Sequence, residues 1–228
     1  MKVQITYIDR PDSIKQANQS LASFTKRGWD AELLEGVTPA TLNENDFPYQ
    51  DMKNSRLASF KVNEPKKYPV KKSCLFNNLK FCKRVIESDT PMVFAEHDAL
   101  CISSPEEWQF EDFLFLSFEY AFEPPTALAK PPFNKWTHFS HYGVQEFPYN
   151  YPLTYYKENI YKNHIMTPGT AAYALTPKGA SKILRAAERW GLEQSDFIIN
   201  DFNVKMQYVY PSPVRYNKVN LNLSHGVT

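Results

Sequence analysis

Glu96 and Asp98 stand one residue apart, directly after the apolar run Met92-Val93-Phe94-Ala95. Two carboxylates at that spacing offer the oxygen ligands that hard divalent cations such as Mg²⁺ or Mn²⁺ prefer. They make half a coordination shell, which water and phosphate oxygens complete. A cation held there would counter the charge that builds on a departing diphosphate. An acid-x-acid triplet is by itself common in solvated turns, so its placement decides its meaning. His97 lies between the two acids, and alternation points its side chain away from theirs, which suits packing better than ligation.

Two further carboxylates, Asp196 and Asp201, lie five apart in Ser195-Asp196-Phe197-Ile198-Ile199-Asn200-Asp201. Either suits a general base that takes a proton from a hydroxyl, although Asp196 also reads as the cap of a short helix running on toward Lys205. His138 and His141 have the spacing of half a zinc site but lack companion ligands. The aromatic stretch Trp136, Tyr142, Phe147, Tyr149, Tyr151, Tyr155 and Tyr156 suits stacking on a sugar or base as well as ordinary core packing.

The seven glycines form neither GxGxxG nor GxxxxGK[ST], which leaves phosphate binding to metal and basic side chains. Lys53 to Arg84 holds ten Lys or Arg and one acid, Glu64, while the rest of the chain sums to about −8. That asymmetry is the footprint of an anionic partner or else a solvated basic face. Within it, Lys71, Lys72, Lys80, Lys83 and Arg84 are the candidates for phosphates or for an anionic acceptor.

The elements that position these residues follow from periodicity. Val3, Ile5 and Tyr7 alternate as a strand. A helix capped by Asp12, with Ile14, Ala17, Leu21 and Phe24 on its buried face, then runs to Gly28. Ala31–Leu34 suits a second strand, and the proline-bearing stretch from Asn43 to Val70 reads as an irregular excursion. From Ser73, the residues Leu75, Leu79, Cys82 and Ile86 mark a helix face that closes at Asp89-Thr90-Pro91. Met92 to Ala95 is short, wholly apolar and bounded by a turn and an acid, as a strand buried on both faces of a parallel sheet requires. Its C-terminal end, where the two acids stand, is the edge at which open α/β sheets bind ligands.

Phe113–Leu116 is a further strand, and residues 124–152 are loop-rich without dependable periodicity. Ala171–Leu175 is a strand leading through Thr176-Pro177 into a helix with Ala180, Ile183, Leu184 and Ala187 buried. Val204–Tyr210 is the last strand, and the tail from Pro211 is extended. Alternating strands and helices predict a three-layer α/β fold in a single domain over residues 1–228.

Apolar residues at 43% and aromatics at 15% exclude a disordered chain. Three cysteines without a CxxC pair predict buried free thiols rather than disulfides or a thiolate metal site. No signal peptide or membrane-spanning run is present, so a soluble cytoplasmic protein without membrane insertion is expected.

The order of motifs resembles glycosyltransferase family 25, which includes lipooligosaccharide galactosyltransferases and collagen galactosyltransferase domains. Tyr7-Ile8-Asp9-Arg10 looks like the family's opening strand and turn, and Ser73 to Leu79 resembles the helix before its acidic motif. Val93 to Ala99 matches that motif, and Gly169 to Ala180 is the longest likeness. Asn77-Asn78 replaces the family's usual Ser-His, and His97 stands where Asp is more frequent. The resemblance implies a GT-A-like (Rossmann-like) fold, a mostly parallel sheet flanked by helices, and a nucleotide-sugar donor. It also implies a Mn²⁺ (or Mg²⁺) cofactor and inversion at the anomeric carbon.

On this reading Glu96 and Asp98 bind the metal, and the resemblance adds His225. Asp196, with Asp201 second, is the base. Ile8, Asp9, Arg10, Lys80 and Arg84 contact the donor, and Lys71 and Lys72 the acceptor. The basic region points to a polyanionic acceptor, either a lipopolysaccharide glycan or DNA bearing hydroxymethylated bases. Some bacteriophages encode enzymes of the second kind, which would place the protein in the host cytoplasm. The rival expectation is a non-catalytic nucleic-acid-binding protein that uses the same basic residues.

Overall fold

The computed structural model describes residues 1–120, 141–148, 151, 153–167, 169 and 171–217. Its strands are β1 (Lys2–Tyr7), β2 (Asp30–Glu35), β3 (Met92–Glu96), β4 (Ala99–Cys101), β5 (Phe113–Phe115), β6 (Gly143–Glu146), β7 (Ala172–Leu175), β8 (Met206–Tyr210) and β9 (Val214–Tyr216). The helices are α1 (Pro11–Lys26), α2 (Arg56–Asn63), α3 (Tyr68–Ser88), α4 (Pro177–Trp190) and the short α5 (Ser195–Ile198). Seven strands form one sheet in the order β2-β1-β3-β7-β5-β8-β6, and β4 pairs with β9 in a separate ribbon. The fold is mixed α/β with a largely parallel sheet. Five of the seven strands run the same way, and β7 and β6 oppose them.

The apolar run of β3 is buried as expected, but it is flanked by parallel β1 on one side and antiparallel β7 on the other. Its alternation divides the core. Met92 and Phe94 face a layer built on α3 and α4, whereas Val93 and Ala95 face α1 and the β4–β9 ribbon. Phe94, Tyr173 and Phe113, from β3, β7 and β5, stack in a row with ring centroids 5.3 Å apart at each step. Offset stacking of this kind adds to the burial of the rings.

Several expected boundaries shift. Arg10, not Asp12, is the N-cap of α1, because Pro11 is pre-set for the first helical turn and Asp12 falls inside it. The buried face of α1 is Ser13, Gln16, Ala17, Ser20 and Phe24, with Ser13 Oγ accepting from the Ile8 N–H. The irregular excursion contains α2, capped by Ser55, and α3 begins at Tyr68 rather than Ser73, with Pro69 in its first turn. Val85, not Ile86, ends the buried face of α3. Thr176 caps α4 as expected, accepting from the Gly179 N–H at 3.1 Å. The tail after Pro211 supplies β9. Among the described residues no helix is long and apolar enough to cross a membrane.

Candidate functional site

Register places the site. Thr6 of β1 lies level with Glu96 of β3, and Tyr7 lies level with Glu35 of β2, so three parallel strands end on one edge. The segments that leave this edge, Tyr7-Ile8, Val37-Thr38-Pro39 and Glu96-His97-Asp98, enclose a cleft of about 860 Å³, including the part open to solvent. Val70, Ser73, Cys74, Asn77 and Asn78 on the N-terminal half of α3 form its other wall.

Two asparagines set that wall. Asn77 Oδ1 accepts from the Val37 N–H at 2.6 Å, and its Nδ2 donates to the Val37 carbonyl at 3.1 Å. Gly36 makes this approach feasible, since a Cβ there would come within 2.8 Å of Thr6 Cγ2 and 3.1 Å of the Asn77 amide. Asn78 accepts from the hydroxyl of Tyr173, the central ring of the aromatic row. The family's Ser-His pair is thus replaced here by residues that fix the loop after β2 and the sheet.

At the cleft edge the carboxyls gather. Burial pushes Glu96 well above the ordinary carboxylate range, helped by the negative charges of Asp98 and Asp196 and opposed by Lys71. Burial also raises Asp98, against the pull of His97, and lowers His97. Asp98 Oδ1 is buried and has no hydrogen-bond partner among the described residues. The Asp98 carbonyl accepts from the Asn217 N–H at 2.7 Å, and the Glu96 N–H donates to the Ala171 carbonyl at 2.8 Å. The triplet is therefore gripped by backbone from β7 and from the end of β9.

Asp196, in the first turn of α5, comes within electrostatic reach of Glu96, while its carbonyl accepts from Thr167 Oγ1. Gln194, not Asp196, is the N-cap of α5. Tyr216 also faces this group, and its phenol is raised by burial and by Glu96, Asp196 and Asp98. Its hydroxyl would stand 2.8 Å from a Cβ at Gly169, whose φ of +77° already favours glycine. Sequence periodicity gave no sign of Tyr216, because its role depends on a ribbon between two distant segments.

The other expected site residues separate. Ile8 lines the cleft, and Asp9 and Arg10 follow it as exposed residues, with the charge of Arg10 reaching His97. Lys71 is buried beside the carboxyl group. Lys72 is taken instead by Glu44 and packs over Tyr68 and Phe76. Lys80 pairs with Asp46 at 2.7 Å, and Arg84 with Glu32 at 2.6 Å and Gln4 at 2.8 Å, so neither is offered to the cleft. Lys83 lies over the Phe47 ring and donates to the Asp46 carbonyl.

Asp201 turns to its own loop, accepting from His164 Nδ1 at 3.0 Å and the Ile165 N–H at 2.8 Å. Cys74 is half-buried in the cleft wall, whereas Cys82 and Cys101 are buried thiols. Phe147 packs against the core, Tyr151 and Tyr155 are buried in it, and Tyr142 and Tyr156 are exposed. His225, Trp136, His138 and Tyr149 lie outside the described residues.

Among the described residues, no three His, Cys, Asp or Glu side chains form a cation cage of their own. The fit is to an ion held by two carboxylates and completed by a ligand's oxygens: Asp98 presents an orphaned buried oxygen, and Glu96 lacks a contacting counter-charge. No family model matches the sequence, and no curated protein matches it.

Proposed function

We propose that this chain is a metal-dependent, inverting glycosyltransferase of GT-A-like fold that moves a sugar from a nucleotide-sugar donor to a hydroxyl of a polyanionic acceptor. The observation that carries this reading is the pair Glu96 and Asp98, with its orphaned Asp98 oxygen, at the edge of a cleft that Asp196 also reaches.

Glu96 and Asp98 would hold a Mn²⁺ or Mg²⁺ ion, which when bound neutralises charge on the leaving diphosphate. Tyr7-Ile8 and the Asn77-fixed Val37-Thr38-Pro39 segment receive the nucleoside. Asp196 takes the proton of the acceptor hydroxyl as the new glycosidic bond forms on the face opposite the diphosphate.

The acceptor approaches over α2. Lys53, Arg56, Lys61 and Lys66, on α2 and its flanks, have no carboxylate within 4.0 Å among the described residues, whereas Lys67, Lys72, Lys80 and Arg84 do. This free charge favours DNA or a phosphorylated glycan as the acceptor.

Screening nucleotide sugars with Mn²⁺ for hydrolysis or transfer tests the reading. Asp196→Asn should bind donor as the parent does while turnover falls roughly 10²–10⁴-fold. Failure of every nucleotide sugar to bind with Mn²⁺ would sink the proposal.

A further inference from the structure

Lys71 is the one cation among the described residues whose charge is felt at Glu96. It sits in the first turn of α3, beside the cleft residues Val70, Ser73 and Cys74, and its residue is only 8% exposed. Other lysines with little or no exposure to spare are in contact with an acid: Lys72 with Glu44, and Lys182 with the fully buried Asp112. Lys71 forms no ion pair within 4.0 Å among the described residues, and its ammonium lies 5.9 Å over the Phe60 ring. A buried ammonium without a contacting anion is costly unless a ligand supplies one. The cavity beside it is where the diphosphate of a donor would lie.

We infer that Lys71 is a fixed seat for a phosphate oxygen, acting on the leaving diphosphate and not on the acceptor. The inference rests on the reading of the cleft as a nucleotide-sugar site. It divides the work of charge neutralisation between a carboxylate-held cation and a side chain that belongs to the protein. The two cations repel one another and are both drawn to the same anion, which gives Lys71 a signature that a packing role lacks. Its removal weakens diphosphate binding and leaves metal binding equal or tighter.

The test is isothermal titration of wild type, Lys71→Met and Lys71→Arg with Mg²⁺ alone, then with inorganic pyrophosphate at saturating Mg²⁺. Melting curves establish that each variant is folded. Lys71→Met should bind Mg²⁺ as tightly as wild type or more tightly, and pyrophosphate roughly tenfold more weakly, the loss of one charge-assisted contact. Lys71→Arg, which keeps the charge, should restore most of the pyrophosphate affinity. Unchanged pyrophosphate affinity in Lys71→Met overturns the seat and leaves the cleft reading intact. Equal losses of Mg²⁺ and pyrophosphate in both variants also overturn it, as a structural role. If wild type binds no pyrophosphate with Mg²⁺, the cleft reading fails, and the seat with it.

Discussion

The side-chain amide of Asn77 closes on the backbone of Val37 from both sides, accepting its N–H and donating to its carbonyl. One residue of α3 thereby fixes the loop that follows β2, forty positions earlier. In Asn77→Ala both backbone groups of Val37 lose their partner, so unfolding free energy should drop by about 1–3 kcal/mol and donor binding should weaken. Asn77→Asp should recover only the N–H bond. A urea midpoint and donor affinity that both stay at wild-type values would refute this role.

Asp98→Ala removes the carboxylate with the orphaned oxygen. Loss of a group that only orients a metal ligand already costs roughly 10–100-fold in metal affinity, so loss of a ligand should cost at least as much. Nucleotide diphosphate binding in Mn²⁺ should fall accordingly, while binding without metal changes little. Calorimetry with and without chelator separates the two.

Glu193 ties α2 to the segment after α4. Its carboxylate accepts from the N–H groups of Arg56 at 2.9 Å, Leu57 at 3.0 Å and Gln194 at 2.7 Å, and from the Tyr155 hydroxyl. Burial outweighs these bonds and raises its carboxyl above the ordinary range. The unfolded chain loses this proton first, so stability falls as pH rises from the ordinary carboxylate value to the folded one, and is level above it. Glu193→Gln should abolish that slope. It should also cost about 1–3 kcal/mol, because an amide NH₂ cannot accept from the backbone. Urea midpoints measured from about pH 4 to 8 would show the two effects apart.

Gly179 lies against backbone, not a movable side chain. A Cβ there would stand 2.3 Å from the Asp112 carbonyl oxygen and 2.8 Å from its carbon. Gly179→Ala should therefore destabilise by about 3 kcal/mol through forced separation of α4 from the turn before β5. A thermal midpoint within a degree or so of wild type would contradict the close contact.

Charge reversal at exposed Lys61 and Lys66 should flatten the dependence of acceptor binding on salt, by about one slope unit per lost phosphate contact if the acceptor is DNA. Lys80→Ala should leave that slope alone, since Asp46 already occupies its ammonium. Gel shifts across a salt series distinguish the two positions, and equal effects would disprove the α2 surface.

Much of the framework was legible because local patterns settle it. Alternation marked β1, and an apolar run ending in an acid marked β3. The Thr176-Pro177 start and Gly191 stop delimited α4. These signals lie within a few residues of one another, and their physics is that of caps, fixed proline φ and one buried face. Asp196 and Asp201 were not separable on that basis. Both stand in the same polar stretch, and only the fold turns one toward Glu96 and the other toward His164. The basic stretch misled for a similar reason: the acids Glu32, Glu44 and Asp46 that neutralise it come from earlier segments.

The sequence by itself determined that two carboxylates end a buried strand, and that a nearby helix carries asparagines and lysines toward them. Tertiary structure alone decided that β7 runs antiparallel beside β3 and that the β4–β9 ribbon carries Tyr216 to the acids. It alone decided that Lys71 stays without an acid in contact while Lys72 does not. Strand direction, ion pairing and desolvation depend on partners far away in the chain, and no local spacing encodes which partner arrives.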